Sequence, residues 1–138
     1  MDLPFAFLPD ERTIHGSLGI SIVSLDRDKV VLAMDVGPQV HQPLGLLHGG
    51  ASAVIAESAA SIGALLNCDV AEQYAVGVDL NISHLKAKRD GSVTATATPI
   101  RIGRTLHVWA IELSDENGAP VAAARCTLAI RDVPSGVK

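Results

Sequence analysis

The stretch Gly49-Gly50-Ala51-Ser52-Ala53-Val54-Ile55-Ala56-Glu57-Ser58-Ala59-Ala60-Ser61-Ile62-Gly63-Ala64-Leu65-Leu66 decides how the rest of the chain is read. Alanine, leucine and isoleucine dominate it and no proline interrupts it, which predicts a helix from about residue 50 to 66. Glu57 is the only side chain in it that normally ionises near neutral pH. At about 100° per residue, Ala51, Ile55, Ser58, Ile62 and Leu66 form a stripe expected to face a sheet. Glu57 then projects from nearly the opposite side, with Gly50, Ala53, Ala60 and Ala64 around it and Ser61 one turn on. That second face is small rather than polar, and an apolar helix with no solvated face is one buried all round. The run is long enough to raise the question of a membrane span, but Ala, Gly and Ser with one Glu are weak drivers of insertion, so a core helix is expected.

Working outward, the segments at 18–25 and 29–36 are β-rich runs around Asp26-Arg27-Asp28, a hairpin. Residues 37–47 break at Gly37-Pro38, Pro43 and Gly45 and read as a loop. After the helix come β-like segments at 74–84, 92–101, 105–114 and 120–131, separated by Arg89-Asp90-Gly91, Ile102-Gly103-Arg104 and Asp115-Glu116-Asn117-Gly118. Alternation is clearest in Val93-Thr94-Ala95-Thr96-Ala97-Thr98, the signature of a strand with one core face. Pro99 cannot donate to a ladder, so a bulge or an edge is expected there. Residues 1–16, with Pro4, Pro9 and Gly16, read as an irregular arm with a short helical turn. The order is hairpin, one long helix, then a meander of four strands: an α+β layer architecture in a single domain, 1–138.

The 138-residue chain is 48% apolar and 19% charged, with net charge −4 and a mean hydropathy of +0.31. So apolar a surface on a small domain points to a homo-oligomeric interface. The acidic balance argues against nucleic acid as partner, since phosphate binding needs a basic field. The N-terminus has no basic n-region or long apolar h-region, and Cys68 and Cys126 show no metal or disulfide spacing. A cytoplasmic protein with reduced thiols is expected.

A buried carboxylate is expensive unless it is paired or has work to do. From the pattern alone Glu57 is either a structural group bonded to a neighbouring backbone or cation, or a catalytic one. Upstream stands Gln42-Pro43-Leu44-Gly45-Leu46-Leu47-His48-Gly49-Gly50. A helix N-terminus carries unpaired N–H groups suited to a developing oxyanion, and Gly49 and Gly50 let a substrate come close to them. A lone His-Gly-Gly is weak. Gln42, then His48-Gly49-Gly50, then an isolated helical Glu nine residues after His48 is far more specific.

At these residues the sequence resembles the hotdog-fold thioesterases, in the branch of the Glu-dependent 4-hydroxybenzoyl-CoA, PaaI-like, 1,4-dihydroxy-2-naphthoyl-CoA and enterobactin proofreading enzymes. The resemblance runs from about 18 to 131 and is carried by the segments 42–52 and 56–58, by Val76-Gly77-Val78-Asp79-Leu80-Asn81, and by Gly103-Arg104 leading to Val108-Trp109. It implies a long helix wrapped by an antiparallel sheet, with dimers paired into tetramers and active sites at the dimer interface. It implies that Glu57 is nucleophile or general base, that the Gly49 amide polarises the thioester carbonyl, that Gln42 and His48 orient carbonyl and leaving group, and that Ser61 steadies the water or carboxylate. Gly77, His84, Leu85, Lys86 and Ala87, with Arg101, Ile102, Gly103, Arg104, Thr105 and Leu106, match where relatives hold coenzyme A. Lys86, Arg101 and Arg104 are then the candidates for its phosphates. Many relatives read His-x-Arg-Pro where this chain reads His84-Leu85-Lys86-Ala87, so a point charge replaces a bidentate fork.

The expected reaction is hydrolysis of an aromatic, hydroxybenzoyl- or dihydroxynaphthoyl-type acyl-CoA, without metal or other cofactor. Its rivals are a medium-chain, phenylacetyl-type or aryl-carrier-protein thioesterase, and a non-catalytic acyl-CoA-binding module. His15, His41 and His107 read as surface, loop and structural histidines. His41, His48 and His84 lack zinc-ligand spacing. Ser52 and Ser58 lie in no Gly-x-Ser-x-Gly elbow. Lys86, Lys88 and Arg89 read as a solvated turn, and Trp109 as a core or interface residue.

Overall fold

Six strands and one long helix form where the alternation and the alanine-rich run put them, in a computed structural model that describes residues 3–136. In chain order they are α1 (Ile14–Leu18), β1 (Ile20–Asp26), β2 (Lys29–Asp35), α2 (Gly49–Leu66), β3 (Gln73–His84), β4 (Ser92–Ile102), β5 (Leu106–Asp115) and β6 (Pro120–Asp132), with 3-10 turns at Asp10–Arg12 and Pro38–Val40. The first two residues of the predicted arm lie outside the described residues. The rest of the arm carries more helix than expected. α1 takes in Leu18, and Gly19 at φ 72° reverses the chain, so β1 starts two residues later than the sequence suggests.

The strands form one antiparallel sheet in the order β1-β2-β4-β5-β6-β3. The expected four-strand meander is therefore only three strands long. β4, β5 and β6 follow one another, but β3 pairs with β6 from Gln73↔Asp132 to His84↔Ala122 and forms the far edge. β2 already occupies the side of β4 that β3 would need. The crossover back to β4 is pinned as it passes: the Leu85 and Lys86 N–H groups both donate to the Val121 carbonyl, and Leu47 N–H donates to Lys88 O. The Pro99 expectation holds, for the β4–β5 register shifts between Pro99 and Arg101 and leaves Ile100 as the extra residue of a bulge.

Helix α2 lies across one face of this sheet, touching β2, β3, β4 and β5. Its buried side runs through Ser52, Ile55, Ala56, Ala59, Ile62, Gly63 and Leu66. Ala51, Ile55, Ile62 and Leu66 are buried as the stripe required. Ser58 is not: it is half-buried and hydrogen-bonded to His15 of α1, 2.9 Å away. Ala60 and Ala64 lie on the Glu57 side of the helix, as the period requires, but are fully buried. On a helix this uniformly small, periodicity cannot fix the rotation. Shape does: a Cβ at Gly63 would lie 2.6 Å from the Trp109 ring, so the only tryptophan rests on the helix backbone. The opposite face, with Ala53, Val54, Glu57, Ser58, Ser61 and Leu65, is half-buried within one chain rather than buried all round.

The basic cluster is not a solvated turn. Lys88 is buried and pairs with Glu116 at 2.7 Å, and Lys86 pairs at 2.6 Å with the buried carboxylate of Asp115. These two bridges clamp the β3–β4 crossover to the β5–β6 turn. Lys86 Nζ, then the Ala119 and Asn117 amides, hold the Asp115 carboxyl at about 2. Lys88 Nζ, then the Glu116 and Ser92 amides, hold Glu116 at about 2. Both values are depressed on folding. The stability they confer is thus complete above the ordinary carboxylate range and lost as pH falls from roughly 4 to about 2. The difference in urea midpoint between the wild type and Lys88→Met should accordingly narrow between pH 6 and pH 2.5. A difference that stays constant would remove the bridge from the acid response.

Candidate active site

His48 begins α2 as its N-cap, and its Nδ1 accepts a hydrogen bond from the Gly50 N–H at 2.7 Å. The Ala51 and Ser52 N–H groups turn back to the His48 carbonyl. Among the described residues this leaves the Gly49 N–H as the donor of the first turn with no protein partner, at the positive end of an eighteen-residue helix. His48 thus supports the helix start directly, and its ring lies on the flank lined by Ile14, Val40 and Val54, away from Gln42.

On the other flank a cleft of about 390 Å³ is lined by Gln42, Gly49, Ser52, His84, Lys86 and Ala87, among others. Gln42 roots the tight 42–46 loop: its Oε1 accepts from the Leu44 N–H, and its own N–H donates to the Leu46 carbonyl. With Oε1 so used, its side-chain amide nitrogen is the group left for the cleft. The His84 ring packs where a side chain at position 49 would stand, 2.8 Å from the place of its Cβ, so a larger residue there would have to push the ring aside. Lys86 reaches this cleft with its charge already met by Asp115, which weakens it as a phosphate ligand.

Glu57 lies eight residues further along the helix, about 12 Å from Gly49 by helical rise. Its carboxylate rests on Gly77 of β3, where any Cβ would collide with Oε1. Beside Gly77 the β3–β6 register shifts, so this point of the edge strand bulges. Burial, with the nearby Glu57 and Asp79 carboxylates adding to it, pushes the Cys126 thiol up to about 12, so Cys126 is a core thiol and no nucleophile. Ser61, one turn beyond Glu57, is half-buried on the same face.

The sheet register places the remaining candidates. Gly77 pairs with Leu128, Leu128 with His107, and His107 with Ile102. The turn from Arg101 to Leu106, through Ile102, Gly103, Arg104 and Thr105, therefore lies at the Glu57 end of the molecule. Arg101 and Arg104 are exposed there, with no ion-pair partner among the described residues. His84 pairs with Ala122 and that with Leu113, so the segment His84, Leu85, Lys86 and Ala87 lies at the opposite end, with Gln42 and Gly49. One chain thus parts the candidate residues into two groups: Glu57, Ser61, Gly77 and the 101–106 turn in one, Gln42, Gly49 and 84–87 in the other.

His107 is buried, and burial pulls its pKa down against the opposing pull of the Gly103 carbonyl. It sits in the core beside Trp109, as its structural reading anticipated. Among the described residues no three His, Cys, Asp or Glu side chains converge as metal ligands. The feature that sequence reasoning missed is the contact between His15 and Ser58. A lone histidine in an irregular arm gives no signal of what it will touch 43 residues later.

Residues 44–122 match the family model of the thioesterase superfamily. The 1,4-dihydroxy-2-naphthoyl-CoA hydrolase of Listeria monocytogenes is 44% identical over 118 residues, 86% of this chain and 95% of that protein. The Escherichia coli protein of the same name is 38% identical over 120 residues, 87% of this chain and 88% of its own. The crystal structure of a mutant of thioesterase PA1618 from Pseudomonas aeruginosa superposes with a TM-score of 0.87 at 42% identity, covering 90% of this chain and 89% of that one.

Proposed function

Because the chain belongs to the thioesterase superfamily, with the hotdog fold and thioester-hydrolase activity of that family, we propose that it cleaves an aromatic acyl-CoA of the hydroxybenzoyl or dihydroxynaphthoyl type, using Glu57 and no metal or other cofactor. The observation that carries the mechanism is the Glu57 carboxylate on Gly77, the one ionisable side chain of α2. Glu57 either attacks the thioester carbonyl to give a mixed anhydride that water then hydrolyses, or takes a proton from the water that attacks; in both routes one water is consumed, its oxygen ends in the free acid and a proton from it goes to the departing sulfur. The unpaired Gly49 N–H meets the charge that develops on the carbonyl oxygen. The C–S bond breaks, and coenzyme A leaves as its thiol. The aromatic acyl group is supported by the names of the two relatives from Listeria monocytogenes and Escherichia coli. A panel of CoA esters followed by thiol release and ranked by kcat/KM tests it: hydroxyaryl esters should lead, and a flat profile would overturn the acyl assignment.

A carbonyl in contact with Glu57 is out of reach of Gly49 in the same chain, so the reading requires a second copy. β3 is an edge strand whose outer row carries the exposed apolar residues Tyr74, Val76 and Val78, the kind of edge that seeks a partner. Antiparallel pairing of β3 with its own copy brings the Gly77 end of one chain to the His84 end of the other, and so completes two sites per dimer. Dimers of this kind close readily into dihedral tetramers. Sedimentation equilibrium at micromolar concentration should show about four chains, and an active monomer would sink the shared site.

Arg101 and Arg104 stand beside the Glu57 half-site as the free cations for the phosphates of coenzyme A. Arg104→Ala should raise KM far more than it lowers kcat, the mark of lost uniform binding. Added salt should imitate it, because exposed charges are screened within roughly 10 Å at 0.1 M ionic strength. An unchanged KM would remove Arg104 from the site.

A further inference from the structure

Among the buried residues of α2, Ser52 is the only one with a polar side chain. It is 1% exposed, and its hydroxyl makes no hydrogen bond among the described residues. A helical serine commonly turns its hydroxyl back onto the carbonyl one turn earlier. Here that carbonyl, His48 O, is already taken by the Ala51 and Ser52 N–H groups. A buried hydroxyl without a partner costs stability, and an alanine like the flanking Ala51 and Ala53 would avoid that cost. The hydroxyl is not sealed in the core as His107 Nδ1 and Trp109 Nε1 are. Ser52 lines the cleft of about 390 Å³ onto which Gly49 also opens.

We infer that the Ser52 hydroxyl is a second donor to the thioester carbonyl oxygen, beside the Gly49 N–H. The occupant follows from the chemistry of the lining. Gln42 offers its amide nitrogen, Gly49 its N–H, Ser52 its hydroxyl and Lys86 its ammonium, and no carboxylate lines the cleft. Such a set takes an electron-rich oxygen. Ser52 stands three residues after Gly49 on the same helix face, with about 5–6 Å between the two positions, and its Cα–Cβ bond leans toward the helix N-terminus. The hydroxyl and the Gly49 N–H can therefore converge on one oxygen, each at roughly 3 Å. That oxygen gains negative charge as the nucleophile adds, so both donors hold the transition state more tightly than the ester. Ser52 has no hydrogen-bonded base to activate it, and so serves as a donor rather than a nucleophile.

This inference rests on the thioesterase reading that sets the carbonyl at Gly49, and one set of measurements separates the two. Hydroxybenzoyl- and dihydroxynaphthoyl-CoA are assayed with the wild type, Ser52→Ala and Ser52→Cys, each with its melting curve. Cysteine keeps the volume and replaces a strong donor by a weak one. Both variants should lower kcat on the order of 10²-fold, the usual cost of one oxyanion donor. KM should change little, and the melting temperature should equal or exceed that of the wild type, since no protein hydrogen bond is lost. In a Glu57→Gln background, which holds the ester uncleaved, the infrared band of an isotopically labelled carbonyl in bound hydroxybenzoyl-CoA should move to higher frequency when Ser52→Ala is added. A wild type that cleaves neither ester defeats the thioesterase reading and this donor with it. An active wild type whose kcat falls less than about threefold in both variants, or a carbonyl band that stays in place, overturns the donor alone. So does a kcat lost in step with the melting temperature in both variants, which would make Ser52 a structural residue.

Discussion

Glu57→Gln should fold, bind CoA ester, and turn it over roughly 10²–10⁴-fold more slowly than the parent, the usual cost of losing a positioned acid–base group. The amide keeps the shape of the carboxylate and its seat on Gly77, and loses only the charge that attacks or takes the proton. The loss should therefore appear in kcat, with ligand affinity and melting temperature nearly unchanged. Glu57→Ala should fall as far. Gly77→Val should fall as well, for a different reason: a side chain at that position occupies the place of Oε1 and displaces the carboxylate while the β3–β6 ladder remains. A structural Glu57 predicts the reverse, with Gln tolerated and Ala destabilising through the partner it leaves unpaired. Turnover, affinity and melting measured together on Glu57→Gln decide it, and near-normal kcat in a folded variant ends the catalytic assignment.

Trp109→Ala should cost roughly 3–5 kcal/mol, as for other fully buried large aromatics. The ring is 0% exposed on β5, between Pro99 on β4 and Cys126 on β6, with Gly63 of α2 above it. The cavity opens beneath the middle of the helix, where Gly63 has no side chain to collapse into it. At about 2–4 °C per kcal/mol for a chain of this size, the melting temperature should drop on the order of 10 °C. Gly63→Leu meets the same contact from the other side by overpacking, with an expected cost of about 1–3 kcal/mol. Urea midpoints at one fixed protein concentration check both, since assembly adds concentration-dependent stability. A loss below 1 kcal/mol in Trp109→Ala would mean that α2 does not lean on this ring.

Much of this is legible in the sequence alone. The strands fall within two residues of their alternating runs because alternation is local, and Pro99 forces its bulge because a missing N–H is a property of one residue. The α2 boundaries follow from Gly49 and the proline-free alanine run. Glu57 stood out because a single ionisable group in such a run needs no structure to look anomalous. Gln42 and the His48-Gly49-Gly50 start drew notice by their spacing.

Other features depend on which distant residues meet, and no local pattern carries that. The rotation of α2 departs from the expected stripe at Ser58, because on a helix of near-uniform small residues every stripe looks apolar until one ring, Trp109, selects Gly63. The place of β3 at the far edge follows from β2 having taken the side of β4 that a simple meander would use. Lys86 and Lys88 are clamps because the crossover passes the β5–β6 turn, an encounter between segments nearly 30 residues apart. The division of the candidate residues into two groups comes from the register that puts Gly77 and His84 at opposite ends of one strand. The sequence by itself determined which residues are chemically exceptional; the tertiary structure decided which of them one chain can bring together, because proximity is set by packing and strand order over distances that composition and periodicity do not span.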